Sequence, residues 1–129
     1  MKLQFAIFLL FIMSYIYPEG GETIFNPIQT YLMRYRQNIE ENDLTYKHGV
    51  INLVLEGRRT NHKSLLLLGF YSIGRQLQKY SVSVREVQII INYEMKDTHQ
   101  SIYTASMESV LALSQGRINP DQFFNEVHY

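Results

Sequence analysis

The segment Gly57-Arg58-Arg59-Thr60-Asn61-His62-Lys63-Ser64 gathers more groups able to do chemistry than any other stretch of the chain. It follows an apolar run and opens a helical one. Its spacing is that of a phosphate-binding loop, G-x-x-x-x-G-K-[ST], with His62 at the second glycine position. That glycine lets the backbone wrap a phosphate, and a Cβ there obstructs the wrap. A nucleotide site is therefore not expected. A simpler anion site is the alternative, made of Arg58, Arg59, His62 and Lys63 around a helix N-terminus. Free N–H groups and the helix dipole favour negative charge there. The plain reading of the same segment is a solvated loop in which Thr60 or Asn61 caps the helix.

Other candidates are weaker. The four histidines are His48, His62, His99 and His128, and none has H-x-x-x-H or H-E-x-x-H spacing, so no zinc site is expected. Glu56 and Glu94 fall at the same end of two strands if those strands are parallel, and a carboxylate pair can do acid–base work. No serine sits in a G-x-S-x-G elbow. The chain has no cysteine, which excludes disulfides, thiolate metal sites, cysteine nucleophiles and lipid attachment at cysteine. No cofactor is implied. With 12 basic against 12 acidic residues there is no basic excess, and no nucleic-acid partner is expected.

Ten tyrosines and no tryptophan are a further signal. Tyrosine pairs an apolar body with a polar tip and is frequent at interfaces. Ile28, Tyr31, Leu32 and Tyr35 recur at helical spacing and form a candidate partner surface.

The elements that must position these groups follow from periodicity. The 129 residues fit one domain. Lys2 precedes Leu3–Tyr17, an apolar run interrupted only by Gln4 and Ser14. As a helix it would reach about 22 Å, against a hydrocarbon core of about 30 Å. The expectation is a signal peptide or short membrane anchor with its linker over residues 1–21, and one globular domain over 22–129. The alternative is a buried N-terminal helix of a cytosolic protein.

Asn26-Pro27 predicts a helix start, with the stripe continuing to Ile39. Val50–Glu56 reads as a strand closed by Gly57. A helix is expected from Thr60 or Asn61 to about Tyr80, apolar around most of its circumference. Val87 to Met95 alternates clearly and predicts a strand with one covered face. Lys96–Gln100 predicts a hairpin loop, and Ile102–Ala105 the returning strand. Ser106 and Asn119-Pro120 predict two final helices, with Gly116 ending the first of them. The order α-β-α-β-β-α-α gives an α+β or α/β two-layer sandwich. Its three-stranded mixed sheet joins a parallel β-α-β unit to an antiparallel hairpin, with helices mainly on one face.

The leading functional expectation is a non-enzymatic extracytoplasmic interaction domain of a bacterial envelope, periplasmic, secreted or membrane-anchored. Its partner would be another envelope protein or a second copy, with a membrane contact through Leu3–Tyr17 if that segment is uncleaved. Two alternatives stand beside it. One is a small anion-binding or acid–base enzyme using Arg58, Arg59, His62 and Lys63. The other is a cytosolic structural domain.

Overall fold

A computed structural model describes residues 19–58, 61–80, 83–93 and 99–129, with the side chains of the first helix described from Ile24 onward. Arg59, Thr60, Glu94, most of the Lys96–Gln100 loop and the Leu3–Tyr17 run lie outside the described residues.

The chain is a small α+β domain. Helix α1 spans Glu19–Met33, β1 Leu44–Lys47, β2 Val50–Gly57, α2 His62–Lys79, β3 Glu86–Tyr93, β4 His99–Ser106, α3 Met107–Ser114 and α4 Pro120–Glu126. The four strands lie in the order β1-β2-β3-β4. The β2–β3 pair is parallel and is linked through α2, while β1–β2 and β3–β4 are antiparallel.

Two expectations are corrected. The sheet has four strands, not three. The added strand is β1, joined to β2 by His48 and Gly49, both at positive φ (53° and 77°). Such a two-residue turn matches the natural twist of a hairpin. The strand is anchored by buried Leu44 and by the Tyr46 hydroxyl, which donates to the Ser83 carbonyl. The second correction concerns α1, which begins at Glu19 and runs through Gly20, Gly21 and Pro27 instead of starting at Asn26. Proline inside a helix removes one backbone hydrogen bond. The turn before it is held by Ile24, which shares an i, i+4, i+8 stripe with Ile28 and Leu32, all three fully buried.

That helix also ends earlier than its stripe implies. Gln37 N–H donates to Leu32 O (3.0 Å) and Arg36 N–H to Met33 O (3.1 Å), with Arg36 at φ 62°. This is a Schellman terminus carried by arginine in place of the usual glycine. Ile39 is buried nonetheless, from the loop beyond, where Gln29 Nε2 donates to its carbonyl at 3.0 Å. The end of α3 uses the same device with the expected Gly116, at φ 73°, where Arg117 N–H donates to Ala112 O (2.9 Å). The caps at Ser106 and Asn119 are as expected, each side chain accepting from the backbone three residues on, Ser109 and Gln122.

One sheet face forms the core. Alternate residues Ile51, Leu53 and Leu55 of β2 and Val87, Ile89 and Ile91 of β3 are buried there. Helix α2 lies across them, with Gly69 close against Ile89, Leu55 and Leu53. The opposite face carries a polar frame around a short apolar row in which Val54, Ile90 and Ile102 are in register. Among the described residues no helix is long and apolar enough to cross a membrane.

Candidate functional site

A groove of about 700 Å³ opens on the helix layer, on the side away from the sheet. Its floor is the outward stripe of α2, in which Ser64, Leu67, Leu68 and Tyr71 follow at i, i+3, i+4, i+7 spacing. One wall is the end of α1 with Tyr31, Tyr35 and Gln37. The other is the corner between α3 and α4, with Leu113, Gly116, Ile118 and Pro120. The two Schellman turns described above therefore stand on opposite sides of the groove.

Three tyrosines line one side. The ring centroids of Tyr31 and Tyr35 are 5.3 Å apart and those of Tyr31 and Tyr71 are 6.3 Å apart. The Arg75 guanidinium lies 5.9 Å from the centre of the Tyr71 ring, within cation–π range. Burial, then the hydrogen bond with Tyr35, pushes the Tyr31 hydroxyl up to about 12, while the Arg75 charge opposes the shift. Tyrosine in an unfolded chain ionises near 10. Below that pH both states keep the proton and stability is unaffected. Between about 10 and 12 the unfolded chain loses the proton while the folded chain retains it, so stability falls as pH rises. Thermal melts of the wild type at pH 9 and pH 11 should show this loss. In Tyr31→Phe the drop should be smaller, and an unchanged drop would show that this hydroxyl is not the titrating group.

The residues expected at a partner surface divide. Ile28 and Leu32 are fully buried in the chain's own core and present no surface. Tyr31 is half-buried and Tyr35 is 55% exposed, and both face the groove. Tyr71, Leu67, Leu68, Leu113 and Ile118 complete it and were not marked as site residues by the sequence. Tyr71 and the leucines carry no signal of their own in the sequence, because α2 is apolar around most of its circumference. Leu113 and Ile118 lie more than forty residues further along the chain.

Of the Arg58–Lys63 segment, Arg58 and Asn61 to Lys63 are described, and Arg59 and Thr60 lie outside the described residues. Asn61 Oδ1 accepts from the Arg58 N–H at 2.9 Å, closing the loop on itself. Gly57 is needed for packing, since a Cβ there would lie 2.5 Å from Leu65 Cδ1 and 2.9 Å from Ile91 Cγ2. Arg58 is exposed. His62 and Lys63 line a separate depression of about 310 Å³ together with Tyr103, Asp121, Phe124 and Tyr129, and Arg58 is not among its walls. Of the acidic pair, Glu56 is exposed and accepts from Asn92 Nδ2 at 3.4 Å. His48 and His99 are exposed. His99 belongs to β4, opposite Tyr93, and not to a loop. His128 exchanges two backbone hydrogen bonds of 2.8 Å with Thr104, which covers part of the β4 edge. Among the described residues no three His, Asp or Glu side chains gather in a way that would hold a metal ion.

No protein-family model, curated protein or solved structure matches the chain. What fold and site define is a small α+β domain, with a four-stranded mixed sheet, whose helices carry a tyrosine-lined apolar groove.

Proposed function

We propose that this chain is a non-enzymatic interaction domain of the bacterial envelope or of the secreted fraction, and that it holds another protein in the groove between α1, α2 and the α3–α4 corner. The observation that carries the reading is the outward stripe of α2. A helix that is apolar around most of its circumference is ordinarily buried around most of it. Here the sheet takes one side, while Leu67, Leu68 and Tyr71 stay half-buried in an open groove. Tyrosines on the wall give large contact area at low conformational cost and keep a polar tip for hydrogen bonding. The extracytoplasmic location rests on Lys2 followed by the uncharged run Leu3–Tyr17.

The test uses the full chain in its own cells, with a photo-crosslinking amino acid in place of Tyr35. N-terminal sequencing of the protein recovered from each cell fraction reports location. The expected result is protein in the envelope or the medium, crosslinked to a different polypeptide. Recovery from the cytosol with Met1 intact would overturn the location. Absence of any polypeptide adduct would overturn the interaction reading.

A further inference from the structure

We propose that the occupant of this groove is an amphipathic helix of the partner, with large aliphatic side chains on one face and carboxylates along both flanks. The inference rests on the interaction reading and adds the chemistry of the partner.

Shape argues for a helix. The floor is itself a helical stripe, Ser64 to Tyr71, and it runs about 10 Å at ~1.5 Å per residue, two turns of a helix. The walls on either side leave a channel that is open along its top. A partner helix laid in it would seat residues at i, i+3 and i+4 against Leu67, Leu68 and Tyr71, the helix-in-groove mode of recognition. The mouth of the channel also carries Tyr35, 55% exposed, which a docked helix would cover.

Charge argues for carboxylates. Arg34 and Arg36 are the chain neighbours of Tyr35, Arg117 lies between Gly116 and Ile118 in sequence, and Arg75 stacks on Tyr71; all four are exposed and none lines the groove itself. The one acidic residue adjoining a wall residue in sequence is Asp121, after Pro120, and it lines the separate depression with Lys63. Two helix C-termini, of α1 and α3, also meet the groove, and each brings a partial negative charge of about half a unit. Four full positive charges outweigh them. A flank of glutamates or aspartates meets this rim favourably, and a flank of lysines is repelled.

Two synthetic fourteen-residue helical peptides test the proposal, identical in their leucine face and differing only in glutamate or lysine flanks. Each is titrated into the full-length chain recovered from cells, at low and at high salt. The glutamate peptide should bind at least tenfold tighter than the lysine peptide at low salt, with the gap narrowing as salt screens it. Leu68→Glu should abolish binding of both peptides. The pair Arg34→Glu with Arg75→Glu should reverse the preference between them. Equal affinities, no binding of either peptide, or a preference indifferent to the charge reversal would overturn the proposal. Anionic vesicles form a parallel arm, and binding to them with the same dependence on Leu68 would overturn it in favour of lipid. Crosslinks from position 35 that map to Leu3–Tyr17 of the same chain, or to a second copy, would overturn it as well. If position 35 reaches a foreign polypeptide while the two peptides bind alike, the carboxylate chemistry fails and the interaction reading stands.

Discussion

Replacing Phe70 by alanine should cost the fold about 3–5 kcal/mol, the range found when a fully buried aromatic is truncated in a packed core. Phe70 is fully buried on the inner side of α2, and its ring meets that of Phe123 edge-on at 5.0 Å. Phe123 is also fully buried and belongs to α4, the last helix. One side chain therefore joins the central helix to the C-terminal one, and its loss leaves a cavity that neither relaxed helix can fill. Domains of this size have about 5–15 kcal/mol in total. The variant should thus sit near the edge of unfolding at 37 °C. Chemical denaturation followed by tyrosine fluorescence is the measurement. Tyr35→Ala is the contrast: the side chain is exposed at the groove mouth, and its truncation, which removes the ring contact with Tyr31, should cost no more than about 1.5 kcal/mol. If the two variants lose comparable stability, Phe70 is not the centre of the core described here.

The same pairing shows what the sequence could and could not supply. The inward stripe of α2, including Phe70, was legible because apolar residues recur at helical spacing, and the alternation of β3 gave its buried face directly. The strand β1 escaped because it is four residues long and its turn is His48-Gly49. Positive φ at both turn positions is usually signalled by Asn-Gly or Asp-Gly, and histidine is an uncommon substitute. Pro27 places the expected first helical residue eight positions after the observed Glu19, since proline is commonest at the first helical position and the tertiary contact of Ile24 does not show in local pattern. The groove was half visible. Tyr31 and Tyr35 stood on a helical stripe with Ile28 and Leu32, but a stripe broad enough to hold all four spans a core face and a groove face at once. Periodicity alone does not divide it. The far wall, Leu113 to Pro120, comes into place only when α3 packs on α2, and no spacing rule links residue 31 to residue 118.

That packing of α3 on α2 depends on one position. Gly74→Val should cost about 2–3 kcal/mol, at the upper end of the range for forcing extra carbons into a filled site. A Cβ at residue 74 would lie 2.8 Å from Ser114 Cβ and 2.9 Å from the Val110 carbonyl oxygen. The carbonyl is fixed in the backbone of α3 and cannot turn aside, so the two helices must separate. Alanine or valine in a helix interior would ordinarily gain up to about 1 kcal/mol over glycine, which sets the size of the clash that must outweigh it. Gly69 in the same helix supplies the comparison. There the nearest atoms are the side-chain tips of Ile89 and Leu55, which can rotate, so Gly69→Ala should stay within about 1 kcal/mol of the wild type. The loss at Gly74 carries a second signature. Ser114 holds the α2–α3 contact through its Oγ, which accepts from Gln78 Nε2 at 2.7 Å, and the adjoining Leu113 forms part of the groove wall. Parting the helices should therefore weaken the glutamate peptide as well as the fold. A Gly74→Val chain of wild-type stability, or a destabilised one that binds the peptide unchanged, would mean that the α2–α3 contact does not shape the groove.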